Sequence, residues 1–187
     1  MNILVDDIDS MVQERIEIDF NTDFRVGILF ELLMQDNELS QESKIIQAIN
    51  LFYPKPEEIK DIKKAIDDIL WFYRCGKEIK ASQSEKTNNQ IYSYEFDDEL
   101  IYSAFRNQYG INLQQIPYLH WWEFQAMFKG LKEDNRIVEI MGYRGVDLGK
   151  IKDKEERARY KKLKRIYALP DMRTPEQKEA DFGRAFW

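Results

Sequence analysis

Apolar and polar positions follow two periods along this chain, and the shorter one comes first. In Ile16-Glu17-Ile18-Asp19-Phe20, apolar and acidic side chains alternate as they do in a half-buried strand. This predicts a small N-terminal β element, although Gln13 to Phe20 lacks the glycine-centred turn of a tight hairpin. The helical period then takes over. Asn21-Thr22-Asp23 offers capping side chains to a helix carrying Phe24, Val26, Ile28, Leu29, Phe30, Leu32, Leu33 and Met34. Being apolar on most sides, that helix is expected at the centre. Ser40 can cap a second helix with Ile45, Ala48, Ile49 and Phe52 on one face, before Pro54 and Pro56 interrupt the chain. Pro56 also suits the first turn of a third helix, which carries Ile59, Ile62, Ile66, Ile69 and Tyr73 and stops at Gly76.

Residues 77–90, KEIKASQSEKTNNQ, are polar and without period, and read as an exposed loop. Ile91 to Phe96 is expected to be briefly extended, and Asp97 or Asp98 to start a helix with Ile101, Ala104, Phe105 and Tyr109 that ends before Gly110. After Pro117, the spacing of Trp121, Phe124, Phe128 and Leu131 places one aromatic face on a further helix. A short helix is predicted over Arg136 to Met141, turns at Gly142 and Gly145, and a charged helix from about Asp153 to Tyr167, before Pro170. No period of twenty to fifty residues repeats, which argues against a solenoid. The predicted fold is therefore mainly α: one compact multi-helix domain over residues 1–170 with the small N-terminal β element, a polar loop at about 77–90 and a tail at 171–187. A two-lobed chain split at the loop is the other arrangement. The aromatics Phe182, Phe186 and Trp187 are expected to dock on the body.

A chain of 187 residues with 13% aromatic content has the means to build a core and is unlike a disordered one. No apolar run approaches the ~18 residues of a membrane span, and the amino terminus MNILVDDIDS is acidic where a signal peptide is basic, so the cytoplasm is expected. The single cysteine, Cys75, allows neither an internal disulfide nor a cysteine-rich zinc site. The net charge of −6 works against general attraction to nucleic acid or anionic membranes and favours proteins as partners.

Reaction chemistry is hard to assemble from these residues. His120 is the only histidine, its neighbours Leu119 and Trp121 carry no nucleophile, and it is expected to cap a helix or pack beside the tryptophans. Asp6-Asp7, Asp67-Asp68 and Asp97-Asp98 are adjacent pairs whose side chains diverge on a helix, and they read as solvated faces or caps. Phosphate-cradling and dinucleotide glycine patterns are missing. No catalytic, cofactor or metal site is expected. The run from Lys150 to Arg165 is basic, but Tyr160, Leu163 and Tyr167 give it an apolar stripe, and its charges read as the solvent side of a packed helix. Should it meet phosphate instead, Lys161, Lys162, Lys164 and Arg165 are the candidate contacts. Trp121 and Trp122 project about 100° apart on a helix, so an exposed edge would suit a partner, while burial is the commoner fate of large aromatics.

The block Ile116-Pro117-Tyr118-Leu119-His120-Trp121-Trp122-Glu123-Phe124, followed by Ile140-Met141-Gly142-Tyr143-Arg144, resembles the phage family known as gene product fifteen. Asn21-Thr22-Asp23-Phe24-Arg25, Gln108-Tyr109-Gly110-Ile111, Lys152-Asp153-Lys154-Glu155-Glu156-Arg157 and Tyr167-Ala168-Leu169-Pro170 also fit its pattern, so the likeness runs from about residue 20 to 170. The resemblance implies a protein encoded among the tail genes of long-tailed phages and prophages. It further implies an assembly chaperone that keeps the tape-measure protein soluble and helps recruit tail-tube subunits, in the cytoplasm of the infected or lysogenic bacterial host. Trp121, Trp122, Phe124, Tyr143 and Arg144 are then the candidate protein contacts. A structural part of the tail or its connector, and a nucleic-acid-binding protein using residues 150–165, are the competing readings.

Overall fold

The structure, a computed structural model, describes residues 4–77 and 90–171. Among these the chain forms eight α-helices and no strand. They are α1 (Ile8–Arg15), α2 (Phe24–Gln35), α3 (Gln41–Phe52), α4 (Ile62–Tyr73), α5 (Asp98–Tyr109), α6 (Trp121–Lys129), α7 (Arg136–Gly145) and α8 (Lys154–Ile166). Two compact units result. The first comprises Met1–Thr87 and Asn112–Gly130, with α1 to α4 and α6; the second comprises Asn88–Ile111 and Leu131–Trp187, with α5, α7 and α8. The loop predicted at 77–90 lies mostly outside the described residues, as do Phe182, Phe186 and Trp187.

In the first unit α2 packs on α3 and α6, and α3 on α4. The predicted caps define the helix starts. Asp23 accepts the Arg25 N–H at 2.9 Å, and Ser40 Oγ accepts that of Ser43 at 3.2 Å. The third helix starts later than predicted, because Pro56–Glu58 close a separate 3-10 turn and Asp61, accepting the Lys64 N–H at 3.1 Å, caps α4. Phe24, Phe30, Phe52, Phe72 and Phe124 fill the core, all within 4% of full burial.

The N-terminal β element is not formed. Asp7 instead accepts the N–H groups of Asp9 and Ser10, each at 3.1 Å, and caps α1, which the Ile16 N–H closes on Val12 O at 2.8 Å. The alternation is nevertheless visible in burial: Ile16 is buried, Glu17 and Asp19 are exposed, and Ile18 and Phe20 lie between. Phe20 sits on Phe52, Tyr53 and Phe72 with ring centroids 5.0 to 5.2 Å away. The segment lies along the edge of the core, and among the described residues it pairs with no neighbouring strand, so a period of two produces no sheet. What remains is one isolated antiparallel bridge between Asp23 and His120.

In the second unit α5 packs on α7 and α7 on α8, around Ile101, Ala104, Phe105, Ile137 and Ile140. Gly110 ends α5 as predicted, in a left-handed conformation with φ +70°. Gly142 is no turn: it lies inside α7 in open space, and the helix continues to Gly145. Ile91 to Phe96 forms no strand and bends into a turn that buries Ser93 and Tyr94. No helix among the described residues is long and apolar enough to cross a membrane.

Candidate protein-binding site

The two consecutive tryptophans are both buried, each 1% exposed. Their divergence along α6 is resolved by the end of α4, whose last carbonyls have no helical donors. Trp121 Nε1–H donates to Tyr73 O at 2.9 Å and Trp122 Nε1–H to Phe72 O at 2.8 Å. The same helix end is closed by a Schellman motif, in which the Gly76 N–H donates to Trp71 O at 3.0 Å and the Cys75 N–H to Phe72 O at 2.9 Å. Cys75, with φ +56°, occupies the left-handed position before Gly76. Burial pushes its thiol pKa up, which disfavours the thiolate. On its other side Trp121 meets Gly27 of α2, where an added Cβ would stand 2.3 Å from the indole. This glycine is what allows α2 to approach so closely. Phe124 stacks on Phe24 at 5.0 Å and is fully buried.

His120 caps α6, its Nδ1 accepting the Trp122 N–H at 3.0 Å. The proton of the neutral ring therefore sits on Nε2, which is buried without a hydrogen-bond partner and lies 4.0 Å from Asp9 Oδ1. Burial lowers the His120 pKa to about 4, against an upward pull from the Asp9 carboxylate.

One apolar surface that this core leaves uncovered lies between α2 and α3. Leu29, Leu32, Leu33 and Asp36 fall at helical spacing on one face of α2, and with Leu39 and Leu51 they line an open trough of about 480 Å³. Leu29 is 49% exposed at its edge. Ile46, 60% exposed, stands on α3 one position before Gln47, which also lines the trough. Between Val26 and Pro54 the carboxylates are Glu31, Asp36, Glu38 and Glu42, and the only cation is Lys44. The Lys44 amine is turned inward to Met34 O at 2.9 Å, and Asp36 is the charged residue among those that line the trough.

Residues 4–169 match the family described as bacteriophage Gp15 protein. The chain belongs to that family. No curated protein and no solved structure matches it. Of the contacts the Gp15 resemblance suggested, Trp121, Trp122 and Phe124 are core residues of the first unit, so they can support a binding surface from beneath but present none of it themselves. Tyr143 and Arg144 belong to the second unit. Tyr143 stacks on Tyr167 at 5.6 Å and its hydroxyl meets Glu139. Arg144 is 9% exposed and acts as an internal clasp. It donates to both Asp97 carboxylate oxygens at 2.5 and 2.9 Å, to Ile91 O at 3.1 Å and to Tyr167 O at 2.6 Å. Asp97 for its part receives the Ser93 N–H at 2.9 Å, so the predicted helix cap is drawn into an ion pair and caps nothing with its side chain.

The trough residues escaped the sequence reading as a site, although their signal was present. An amphipathic α2 would need only the stripe through Phe24, Phe30 and Leu33, so Leu29 and Leu32 are apolar residues in excess of what the core takes up.

Proposed function

We propose that this Gp15-family protein is a tail assembly chaperone that binds the tape-measure protein, acting in the host cytoplasm and assisting the recruitment of tail-tube subunits. The observation that carries the reading is the open leucine-lined trough between α2 and α3. A groove of this kind accepts the apolar face of an amphipathic helix, with anchors at helical spacing. Asp36 on its lining and the net charge of −6 favour a helix with basic flanks. The role rests on binding and calls for no reaction chemistry.

Co-expression with the tape-measure protein of the same phage tests it. The tape-measure protein should become soluble and co-purify. Leu29→Asp, at a half-exposed position, should change stability by no more than about 0.5 kcal/mol and yet abolish that association. If the wild-type chain fails to associate, and mass spectrometry finds it in mature virions, the protein is a structural tail component.

A further inference from the structure

Several cations of this protein lie in ion pairs: Arg15 and Lys64 share Asp68, Lys55 meets Asp19, Arg25 meets Asp23, Arg136 meets Glu139, Arg144 meets Asp97 and Lys150 meets Asp147. Helix α8 is where cations without an ion pair are concentrated among the described residues. Its carboxylates, Glu155 and Glu156, lie in the first turn, and from Arg157 to Pro170 the chain carries Arg157, Arg159, Lys161, Lys162, Lys164 and Arg165 without one acid. Two of these are occupied internally: Arg157 Nε donates to Ile151 O at 2.8 Å and Lys164 Nζ to Val146 O at 3.0 Å. Lys154, Arg159, Lys161, Lys162 and Arg165 are exposed and, among the described residues, have no ion pair.

The arrangement carries an electrostatic cost. Lys161 has cations four residues away on both sides, in Arg157 and Arg165, and Lys162 stands three residues from both Arg159 and Arg165. Like charges at these spacings destabilise a helix. The helix dipole favours cations in the last turn, which suits Lys164 and Arg165 but does nothing for Arg159 and the lysines one turn earlier. The face is also held in place. Tyr160 and Tyr167 pack on Tyr143 at 6.3 and 5.6 Å, and Leu163 and Lys164 are half-buried, so the unpaired cations point away from the core. A row of about 12 Å without an acid results, from Arg157 to Arg165.

We infer that the outer face of α8 is a binding surface for the phosphate backbone of nucleic acid, with Arg159, Lys161, Lys162 and Arg165 as its contacts and Lys154 at its edge. The apolar residues on this outer face are Ala158 and the 55% exposed Ile166. The buried centre of a protein interface is depleted of charge and supplied with apolar or aromatic anchors. A surface that offers charge and almost nothing else fits a polyanion of dense, regular charge, and it fits without base readout. The net charge of −6 does not forbid this, since at physiological salt charges beyond about 8 Å are largely screened from one another.

Fluorescence anisotropy of the full chain with labelled oligo(dT), a DNA duplex and poly(U) tests the inference and separates strand types. With four phosphate contacts, affinity for single strands should fall about 50-fold between about 50 and 200 mM salt. The triple variant Lys161→Glu/Lys162→Glu/Arg165→Glu should lose binding. Lys60→Glu/Lys63→Glu/Lys77→Glu, with the same change of charge at exposed sites of the first unit, should retain most of it. Circular dichroism of both variants verifies the helices. Absence of binding at low salt, equal loss in both variants, or equal affinity for polyglutamate would each overturn the proposal, the last by showing a surface for acidic polypeptides.

Discussion

The first unit seats its two central tryptophans by hydrogen bonds to backbone carbonyls, and the second seats its central arginine by an ion pair. In the first, Trp121 and Trp122 carry their bulk into an aromatic core and spend their indole N–H groups on the open carbonyls at the end of α4. In the second, Arg144 is buried against Asp97 and spans three chain segments through the carbonyls of Ile91 and Tyr167. Both segments belong to the block that carries the family resemblance, and Trp121, Trp122 and Arg144 within them are buried. The difference teaches that a recognisable motif can mark how a fold is closed, while the two surfaces proposed for partners, the trough and the outer face of α8, lie outside that motif.

The comparison predicts different kinds of failure. Trp122→Ala leaves a large cavity and removes one of the two hydrogen bonds that Phe72 O accepts, and should cost about 3–5 kcal/mol in urea denaturation. No single compensating change is expected to restore it. Arg144→Met leaves the Asp97 carboxylate buried and unpaired, at a similar cost of about 3–5 kcal/mol. Here, however, the double variant Arg144→Met/Asp97→Leu should recover part of the loss, since the penalty comes from the stranded charge. A double variant no more stable than Arg144→Met would break the contrast between the two units. The third effect is smaller and confined to a pH range. The His120 pKa is about 4 in the fold and 6.5 for an ordinary histidine, so between these values the unfolded chain holds more protons. Stability should therefore fall as pH drops from 6.5 toward 4, by up to about 3 kcal/mol, and level off below that. His120→Asn, which retains a capping side chain, should flatten this slope.

Much of the helical layout was legible in local sequence. Asp23, Ser40 and Gly110 act where their chemistry predicts, because caps depend on a few neighbouring residues. The elements misread are those decided at long range. Helix α1 buries only Val12, too little apolar patterning to announce a helix beside the clearer alternation of Ile16 to Phe20. That alternation reflects one segment lying on Phe52 and Phe72, which local spacing cannot distinguish from a paired strand. Burial is the commoner fate expected for the adjacent tryptophans, and both are buried; what spacing along α6 does not give is that the end of α4, about 50 residues away in sequence, supplies each indole with a partner. At α8 the basic run was plain in sequence, whereas its division into occupied cations, Arg157 and Lys164, and unpaired ones required the fold.

The placement of the indoles also gives the first unit an optical signature of its own. Of the four tryptophans in the chain, Trp71, Trp121 and Trp122 fall in this unit, and Trp71 and Trp122 lie with ring centroids 5.4 Å apart. The described residues of the second unit hold tyrosines and no tryptophan. In a Trp187→Phe variant, emission excited at the red edge of indole absorption follows the melting of the first unit, while far-ultraviolet ellipticity follows both, so the two units can be watched separately in an unlabelled sample.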